Sequence, residues 1–273
     1  MAEHSKIEWT DATVNFWWGC TKVGPGCDHC YAEGVDRRYG GAHWGAGAPR
    51  RKIKGAVALL HRLNRTRRVA PGGRRFRVFI QSMSDLFDKE VPTEWVREAG
   101  QAIKAATHLD IQIVTKRLPM VEKRMPDLGW DEWPKHAGLM VSVVNQPEAD
   151  RDVPRLLEMK ERLDIPWVGI SAEPLLGPLD LRHWIGHMPY VGASTHGGPD
   201  GLRQCDISGS TGLLDWCVAG GESGPGWRDI PDDVFRSLRD QCAAASVPYF
   251  QKQMPGRRSI PDDLMVRQWP EAV

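Results

Sequence analysis

Three cysteines, Cys20, Cys27 and Cys30, lie close together near the N-terminus of the chain. A proline flanked by two glycines separates the first two, so the chain can turn there and bring all three thiols to one point. A closed structural zinc site has four protein ligands, and a simple electron-transfer iron–sulfur cluster usually has four as well. Three thiolates leave one coordination position open. The segment 20–30, called the cysteine loop below, therefore predicts a metal centre that performs chemistry.

The residue types also allow a structural zinc site made of three thiolates and one imidazole. His29 lies between two of the cysteines and would have difficulty turning back to the same ion, whereas His43 follows a glycine-rich stretch and could reach it. Such a zinc site would stabilise a nucleic-acid-binding module and would not be catalytic. Residue types alone leave the zinc site and the cluster equally open.

The elements that would position the cysteine loop follow it in sequence. Short apolar runs typical of strands alternate with amphipathic segments typical of helices. The strand runs cover 77–82, 111–115, 139–144, 167–171, 216–220 and 249–251, and the helical segments cover 94–107, 151–163 and 232–245. This alternation predicts an α/β fold with a parallel sheet. Six or more strands in a chain of this length predict a full or partial (β/α) TIM-type barrel, as one domain over 1–273.

Polar residues repeatedly follow the predicted strands. In a parallel barrel, the active site is built at the carboxyl ends of the strands. The polar residues at these ends include Ser82, Ser84, Asp85, Lys116, Ser142, Asn145, Ser171, Glu173, Glu222 and Lys252. Each one alone could form a structural ion pair or hydrogen bond, but six polar strand ends in register favour a shared site. The candidate catalytic residues are Lys116, Glu173, Glu222 and Lys252.

The composition excludes several classes of protein. The chain has 273 residues and a net charge of +1. No apolar run reaches the roughly eighteen residues of a membrane span, and the first residues lack the apolar core of a secretory signal. Six cysteines are too few for a disulfide scaffold, so we expect reduced thiols in the cytoplasm. Cys217 and Cys242 are expected to be buried, Cys205 receives no role, and the region 183–214 is expected to be an inserted loop or lid.

A basic segment runs from Arg50 to Arg77 and contains eleven Lys or Arg residues with no Asp or Glu. Within it, Val57, Leu60 and Leu63 fit one face of a helix. Uncompensated charges repel one another unless an anion lies beside them. This argument favours a nucleic acid or a phosphorylated ligand over a solvated helix face. The expected phosphate-binding residues are Arg62, Arg65, Arg67, Arg68, Arg74 and Arg75.

Several motifs together resemble a known family. Ile7-Glu8-Trp9-Thr10-Asp11 precedes the cysteine loop, and the motifs that follow in order are Ser82-Met83-Ser84-Asp85, Val114-Thr115-Lys116-Arg117, Ser171-Ala172-Glu173-Pro174, Gly220-Gly221-Glu222-Ser223 and Gln251-Lys252-Gln253. In these motifs and in its cysteine spacing, the chain is similar to the phage- and prophage-encoded three-cysteine-motif proteins. That family is radical-SAM-like and distantly similar to spore photoproduct lyase. The resemblance spans nearly the whole chain and favours the cluster over zinc.

The resemblance implies a 4Fe-4S cluster on the three cysteines, with S-adenosyl-L-methionine (SAM) bound to its fourth iron. Reductive cleavage of SAM would yield a 5′-deoxyadenosyl radical that abstracts hydrogen from the substrate, and the protein would position the cofactors. The implied roles are adenine packing for His29, contact with the SAM amino group for Ser82, Ser84 and Asp85, contact with the ribose for Ser142 and Asn145, and completion of the nucleoside pocket for Ser171 or Glu173.

The resemblance also suggests partners. A reductant such as flavodoxin or ferredoxin would supply the electron, in the cytoplasm of the host if the protein is phage-encoded. Together with the basic segment, the phage association makes a nucleotide, especially a modified base in phage DNA, the expected substrate. Isomerase, lyase and group-transfer reactions remain open. The alternative is a zinc-stabilised nucleic-acid-binding module without SAM chemistry.

Overall fold

The computed structural model describes residues 2–66, 69–185 and 213–270. Its strands are β1 (Ala12–Val14), β2 (Trp17–Trp18), β3 (Arg51–Lys52), β4 (Phe76–Ile80), β5 (Leu109–Thr115), β6 (Ala137–Ser142), β7 (Val168–Ala172), β8 (Trp216–Gly220) and β9 (Tyr249–Gln253). Its α-helices are α1 (Tyr31–Arg38), α2 (Ala56–Arg65), α3 (Thr93–Lys104), α4 (Val121–Leu128), α5 (Gln146–Leu163) and α6 (Asp232–Ala244). Arg67, Arg68, Cys205 and nearly all of the expected insert at 183–214 lie outside the described residues.

Seven of these strands form one parallel sheet in the order β1, β4, β5, β6, β7, β8 and β9. From β4 onward, each strand lies beside the next one along the chain. Helices α3, α4, α5 and α6 each connect one pair of neighbouring strands, because parallel neighbours need a long crossover connection. The predicted α/β fold and all six predicted strands are confirmed.

The sheet is curled. The ring of Trp9 lies 4.7 Å from that of Phe79 on β4 and 5.8 Å from that of Trp216 on β8. In a flat sheet, β4 and β8 would be about 19 Å apart, since neighbouring strands are spaced at about 4.8 Å. Within the described ranges β1 and β9 form the two edges and do not pair with each other. The fold is therefore a partial barrel.

The inner face of the curled sheet is filled by aromatic side chains, called the aromatic floor below: Trp9, Phe79, Trp167, Trp216 and Phe250. Two strand glycines make room for the tryptophans. A Cβ on Gly138 would lie 1.8 Å from the Trp167 ring, and one on Gly169 would lie 3.2 Å from Cβ of Trp216. Trp9 and Phe79 also line the cleft that opens at the carboxyl ends of the strands. The floor therefore closes the barrel below the carboxyl ends of the strands.

Helix α5 shows why one boundary differs from its prediction. The Asn145 side chain accepts the backbone N–H of Glu148 at 3.0 Å and caps the helix, with Pro147 in the first turn. The helix therefore begins at Gln146, five residues before the predicted start, and the ribose contact predicted for Asn145 competes with this cap. Within the described ranges, none of the helices has both the length and the apolar character needed to span a membrane.

Candidate active site

A cleft at the carboxyl ends of the sheet strands holds about 1100 Å³ of space, including its open mouth. Cys20, Cys27 and Cys30 all line this cleft, opposite the ends of the strands. The other predicted site residues that line it are His29, Ser82, Ser84, Asp85, Lys116, Ser142, Ser171, Glu173, Glu222 and Lys252. Parallel strands in sequential order bring these distant residues together at one end of the barrel.

Asp85 follows β4, and other residues of the chain donate hydrogen bonds to its carboxylate. Its carboxylate accepts the Thr115 hydroxyl at 3.0 Å and the backbone N–H groups of Phe87 and Lys116 at 2.9 and 3.1 Å. The Arg117 guanidinium adds a contact at 3.3 Å. A carboxylate offers roughly four acceptor sites, so these partners fill it. Asp85 therefore joins the ends of β4 and β5 and has little capacity left for the SAM amino group expected there.

Arg117 connects Asp85 to the cysteine loop. Its Nη1 lies 3.4 Å from the Cys20 sulfur, and its Nη2 donates to the Thr21 carbonyl at 2.5 Å. Burial alone would lower the pKa of Arg117, but Asp85 and Cys20 outweigh burial and raise it. Burial raises the pKa of the Cys20 thiol to about 12, although Arg117 opposes this shift. Cys20 therefore keeps its proton at neutral pH until a metal displaces it.

A second arginine, Arg228, ties the cysteine loop to the segment that follows β8. Its Nη2 donates to the Pro25 carbonyl at 2.7 Å, and its Nη1 lies 3.3 Å from the Asp28 carboxylate. Glu222 is buried and accepts both the backbone N–H and the guanidinium of Arg228. Burial would raise the pKa of Glu222, but these hydrogen bonds prevail and lower it. This geometry fits a positioning role for Glu222 better than the catalytic role predicted for it.

Gly26 allows the cysteine loop to lie directly on the strand ends. A Cβ at this position would lie 2.6 Å from Cγ1 of Val144 and 3.3 Å from Cδ of Pro174. These two residues follow β6 and β7. Any larger residue at position 26 would push the loop away from the sheet, so the close approach requires glycine.

The middle of the cleft carries two lysines and one carboxylate. Lys252 Nζ lies 2.8 Å from Glu173 Oε1, and Lys116 Nζ donates to the Glu173 backbone carbonyl at 3.2 Å. The Ser171 hydroxyl lies 3.5 Å from the second carboxylate oxygen of Glu173. Two cations beside one carboxylate give this part of the cleft a positive charge, which suits an anionic group on a ligand.

Ser82 and Ser84 contact the elements that surround the cysteine loop. The Tyr31 hydroxyl donates to the Ser82 carbonyl at 2.6 Å, and the Asn15 amide donates to the Ser82 hydroxyl at 3.0 Å. The Ser84 hydroxyl donates to the Trp17 carbonyl at 3.1 Å. Both hydroxyl oxygens keep acceptor capacity, so each can still accept a hydrogen bond from a ligand amino group.

His29 and Asn145, both predicted to bind the nucleoside, have different positions. His29 lines the cleft, and its ring packs against the segment after β8, where a Cβ on Gly226 would lie 3.1 Å from His29 Nδ1. Asn145 caps α5 and is not among the residues that line the cleft. The contact predicted between Asn145 and a ribose therefore needs a rearrangement of this cap.

Neither the three cysteines nor His43 form a single-ion site in this structure. Among the residues that the structure describes, no three His, Cys, Asp or Glu side chains are grouped closely enough to hold one metal ion. Zinc needs its ligands to converge on one atom at about 2.0–2.3 Å, whereas a cluster spreads its thiolates over several irons. His43, the other zinc candidate, lies outside the cleft, and its Nδ1 lies 2.8 Å from the Asp36 carboxylate.

The basic segment lies away from the cleft, and acids from elsewhere in the chain pair with it. The ion pairs are Arg50 with Asp88, Lys52 with Glu98, Arg62 with Glu3, Arg74 with Asp11 and Arg77 with Asp110. Five of the eleven cations therefore have acidic partners that are distant in sequence, which weakens the argument that this charge needs an external anion. Of the predicted phosphate-binding residues, Arg62 and Arg65 lie at the end of α2, and Arg74 and Arg75 lie just before β4. They are at the end of the sheet opposite the cleft.

Two residues of the candidate site were not predicted. Arg117 directly follows Lys116 in the motif Val114-Thr115-Lys116-Arg117, so its position at a strand end was the available signal. Arg228 lies within a segment after β8 that has no strand or helix pattern. No local pattern indicates that its side chain reaches the cysteine loop, because that contact joins residues about 200 positions apart.

Solved structures similar to this fold include two of spore photoproduct lyase. A mutant with bound AdoMet and dinucleoside spore photoproduct is 12% identical, with a TM-score of 0.41 over 64% of this chain and 48% of the other. This chain thus spans about half the length of that protein. A complex with dinucleoside spore photoproduct is 11% identical, with a TM-score of 0.49 over 90% of this chain and 75% of the other. No curated protein matches the chain in sequence. Residues 4–265 match the family described as "Protein of unknown function (DUF5131)", and the chain belongs to this family.

Proposed function

We propose that this protein is a radical SAM enzyme whose active site is the cleft at the carboxyl ends of the sheet. The observation that carries the proposal is the position of Cys20, Cys27 and Cys30, which line the same cleft as the polar strand ends. A barrel places its catalytic groups at this end of the strands. A three-thiolate centre with an open position is useful only where a second ligand can reach it, and the cleft provides that access.

The residues fit a 4Fe-4S cluster with bound SAM. Cys20, Cys27 and Cys30 are free thiols and would hold the cluster. The amino and carboxylate groups of SAM would occupy the fourth position, and the positive charge of Lys116 and Lys252 suits that carboxylate. When bound, the two cofactors supply hydrogen-atom abstraction by a carbon radical, a reaction that protein side chains cannot perform alone.

The chain itself contributes positioning and exclusion of water. Asp85 and Arg117 hold the first cysteine of the loop, and Glu222 and Arg228 hold the segment before the second and third. The aromatic floor closes the bottom of the cleft and keeps water out from below. Glu173 balances part of the charge of the two lysines. An anionic ligand would therefore take over the ion pair that Lys252 forms with Glu173.

We further propose that the substrate contains a nucleotide, with a modified base in DNA as the first candidate to test. Trp44 lines the cleft beside the cysteine loop and offers a surface on which a base can stack. The lysines in the cleft suit a phosphate or carboxylate. A flavodoxin or ferredoxin would supply the electron. The phage association and the choice among isomerase, lyase and transferase rest on the family resemblance alone.

Anaerobic reconstitution tests the proposal. The wild type with added iron, sulfide and SAM should become brown and hold about four irons per chain. Reduction with dithionite should then release 5′-deoxyadenosine and methionine from SAM. Stoichiometric zinc without iron would support the zinc module instead. A cluster that forms but neither binds nor cleaves SAM would contradict the enzyme class while leaving the metal site intact.

A further inference from the structure

The charge of Arg117 is fixed beside the sulfur of Cys20. Its guanidinium lies 3.4 Å from that sulfur, 3.3 Å from the Asp85 carboxylate and 2.5 Å from the Thr21 carbonyl. The side chains of Arg117 and Asp85 are only 8% and 6% exposed. Neither side chain can turn into solvent without leaving the other as an unpaired buried charge.

The support behind Arg117 is itself rigid. The Thr115 hydroxyl donates to Asp85 and also accepts the backbone N–H of Arg117 at 2.9 Å. The backbone N–H groups of Phe87 and Lys116 complete the set of Asp85 partners. A charged group held by so many partners is preorganised, because it does not reorient when the charge beside it changes.

The three cysteines differ in this respect. Arg117 donates to Cys20, whereas within the described part of the chain no hydrogen bond from a Lys or Arg reaches the sulfur of Cys27 or Cys30. Hydrogen bonds and charge next to a cysteine sulfur alter the reduction potential of the cluster it holds. One-electron reduction adds one negative charge to the cluster, so a fixed cation beside one thiolate stabilises the reduced state.

We propose that Arg117 raises the reduction potential of the cluster through Cys20, and that Asp85 positions Arg117 for this purpose. This inference rests on the proposed function, since it requires the cluster. The electron comes from the external reductant and is taken up by the cluster, and no bond to a protein atom forms or breaks in this step.

A redox titration tests the inference. The full-length wild type and Arg117→Gln are reconstituted anaerobically, and the midpoint potential is measured from the paramagnetic signal of the reduced cluster. Arg117→Gln should retain its iron and sulfide and should have a reduction equilibrium constant about tenfold lower, which is about 59 mV for one electron. Arg117→Lys retains the charge but lacks the planar guanidinium. Its midpoint potential should lie between those of the wild type and Arg117→Gln.

Two further comparisons make the test decisive. Arg124→Gln is the matched control, since Arg124 is also buried and paired, with Asp127, but lies on α4 outside the cleft. Its midpoint should equal that of the wild type. Arg117→Gln could lose its iron because Asp85 is left unpaired. In that case, the midpoint potential of the double variant Asp85→Asn/Arg117→Gln is compared with that of Asp85→Asn alone, and the difference measures the same effect of Arg117.

The outcomes are separable. An unchanged midpoint in an iron-loaded Arg117→Gln protein overturns the inference and leaves the proposed function standing. An equal drop in Arg124→Gln also overturns it, because the effect would then follow from the loss of any buried cation. A wild type that takes up no iron overturns the proposed function and this inference together.

Discussion

Two groups of arginines in this protein form ion pairs at opposite ends of the sheet. Arg117 and Arg228 lie outside the basic segment, yet both reach the cysteine loop at the carboxyl end of the sheet. Arg62 and Arg74 belong to a conspicuous basic segment, yet they pair with acids near the N-terminus at the other end. Local charge density was therefore the weaker guide to the site. Position at the end of a parallel strand was the stronger one for Arg117, whereas no local signal indicated Arg228.

Burial explains why the two groups have different consequences. The Arg117 side chain is 8% exposed, whereas that of Arg62 is 53% exposed. An exposed ion pair is screened by water and contributes about 0–1 kcal/mol. A buried pair is costly to break, because the remaining partner is left charged and without solvent. Substitutions in the two regions should therefore differ in the size of their effects on stability.

The largest effect is expected at the cysteines of the cleft. Replacement of Cys20, Cys27 or Cys30 by alanine should abolish the brown chromophore and all SAM cleavage, since each removal leaves only two thiolates. Cys242→Ala is the matched control, because Cys242 is also a free thiol but is buried in α6. Iron content and visible absorption measure the result. A chromophore that survives in Cys27→Ala would contradict the assigned ligand set.

Removal of the acid partner should separate the two regions in stability. Asp85→Ala leaves Arg117 buried and unpaired, so we expect a loss of about 3–5 kcal/mol in the free energy of unfolding. Asp11→Ala removes the partner of the half-buried Arg74 and should cost about 1 kcal/mol. Urea unfolding followed by circular dichroism measures both variants. Equal losses would show that burial does not distinguish the two networks.

Arg228→Ala should have an intermediate effect, about 1–3 kcal/mol, because buried Glu222 loses its donors. The pKa of Glu222 is lowered in the folded protein. Its stabilising contribution is therefore complete above the ordinary pKa of a glutamate and is lost as the pH falls through the folded value. The stability difference between wild type and variant should narrow at acid pH. Arg236→Ala, which removes exposed ion pairs with Asp233 and Asp263, is the control and should cost less than Arg228→Ala.

The smallest effect is expected in the basic segment. Arg65 and Arg75 are exposed on the far side of the sheet from the cleft. DNA affinity falls as salt rises, and the slope of the logarithm of the binding constant against the logarithm of salt concentration measures this dependence. Charge reversal at both arginines should make that slope shallower by about 0.9 for each lost phosphate contact. Iron content should not change. A slope that is the same before and after reversal would make this segment an ordinary solvated surface.

Much of the fold was predictable because the signals were local. The strand at 216–220 and the helix starting at Asp232 follow from apolar runs and periodic spacing, and the structure has both. Strand β1 was missed because its three residues, Ala-Thr-Val, are too short to form a pattern. Helix α4 was missed because Pro126 interrupts its helical pattern.

The sequence by itself determined the order of strands and helices, the three cysteines and the polar strand ends, since each depends on residue type and short spacing. Tertiary structure alone decided which of those polar groups remain available to a ligand. The acceptor sites of Asp85 and Glu222 are engaged with Arg117 and Arg228. Lys116 and Lys252 also contact Glu173, but each ammonium group has three donors and can still donate to a ligand in the cleft. The physical reason is that a side chain pairs with its nearest partner in space. The curled sheet brings residues that are far apart in the chain close enough to pair.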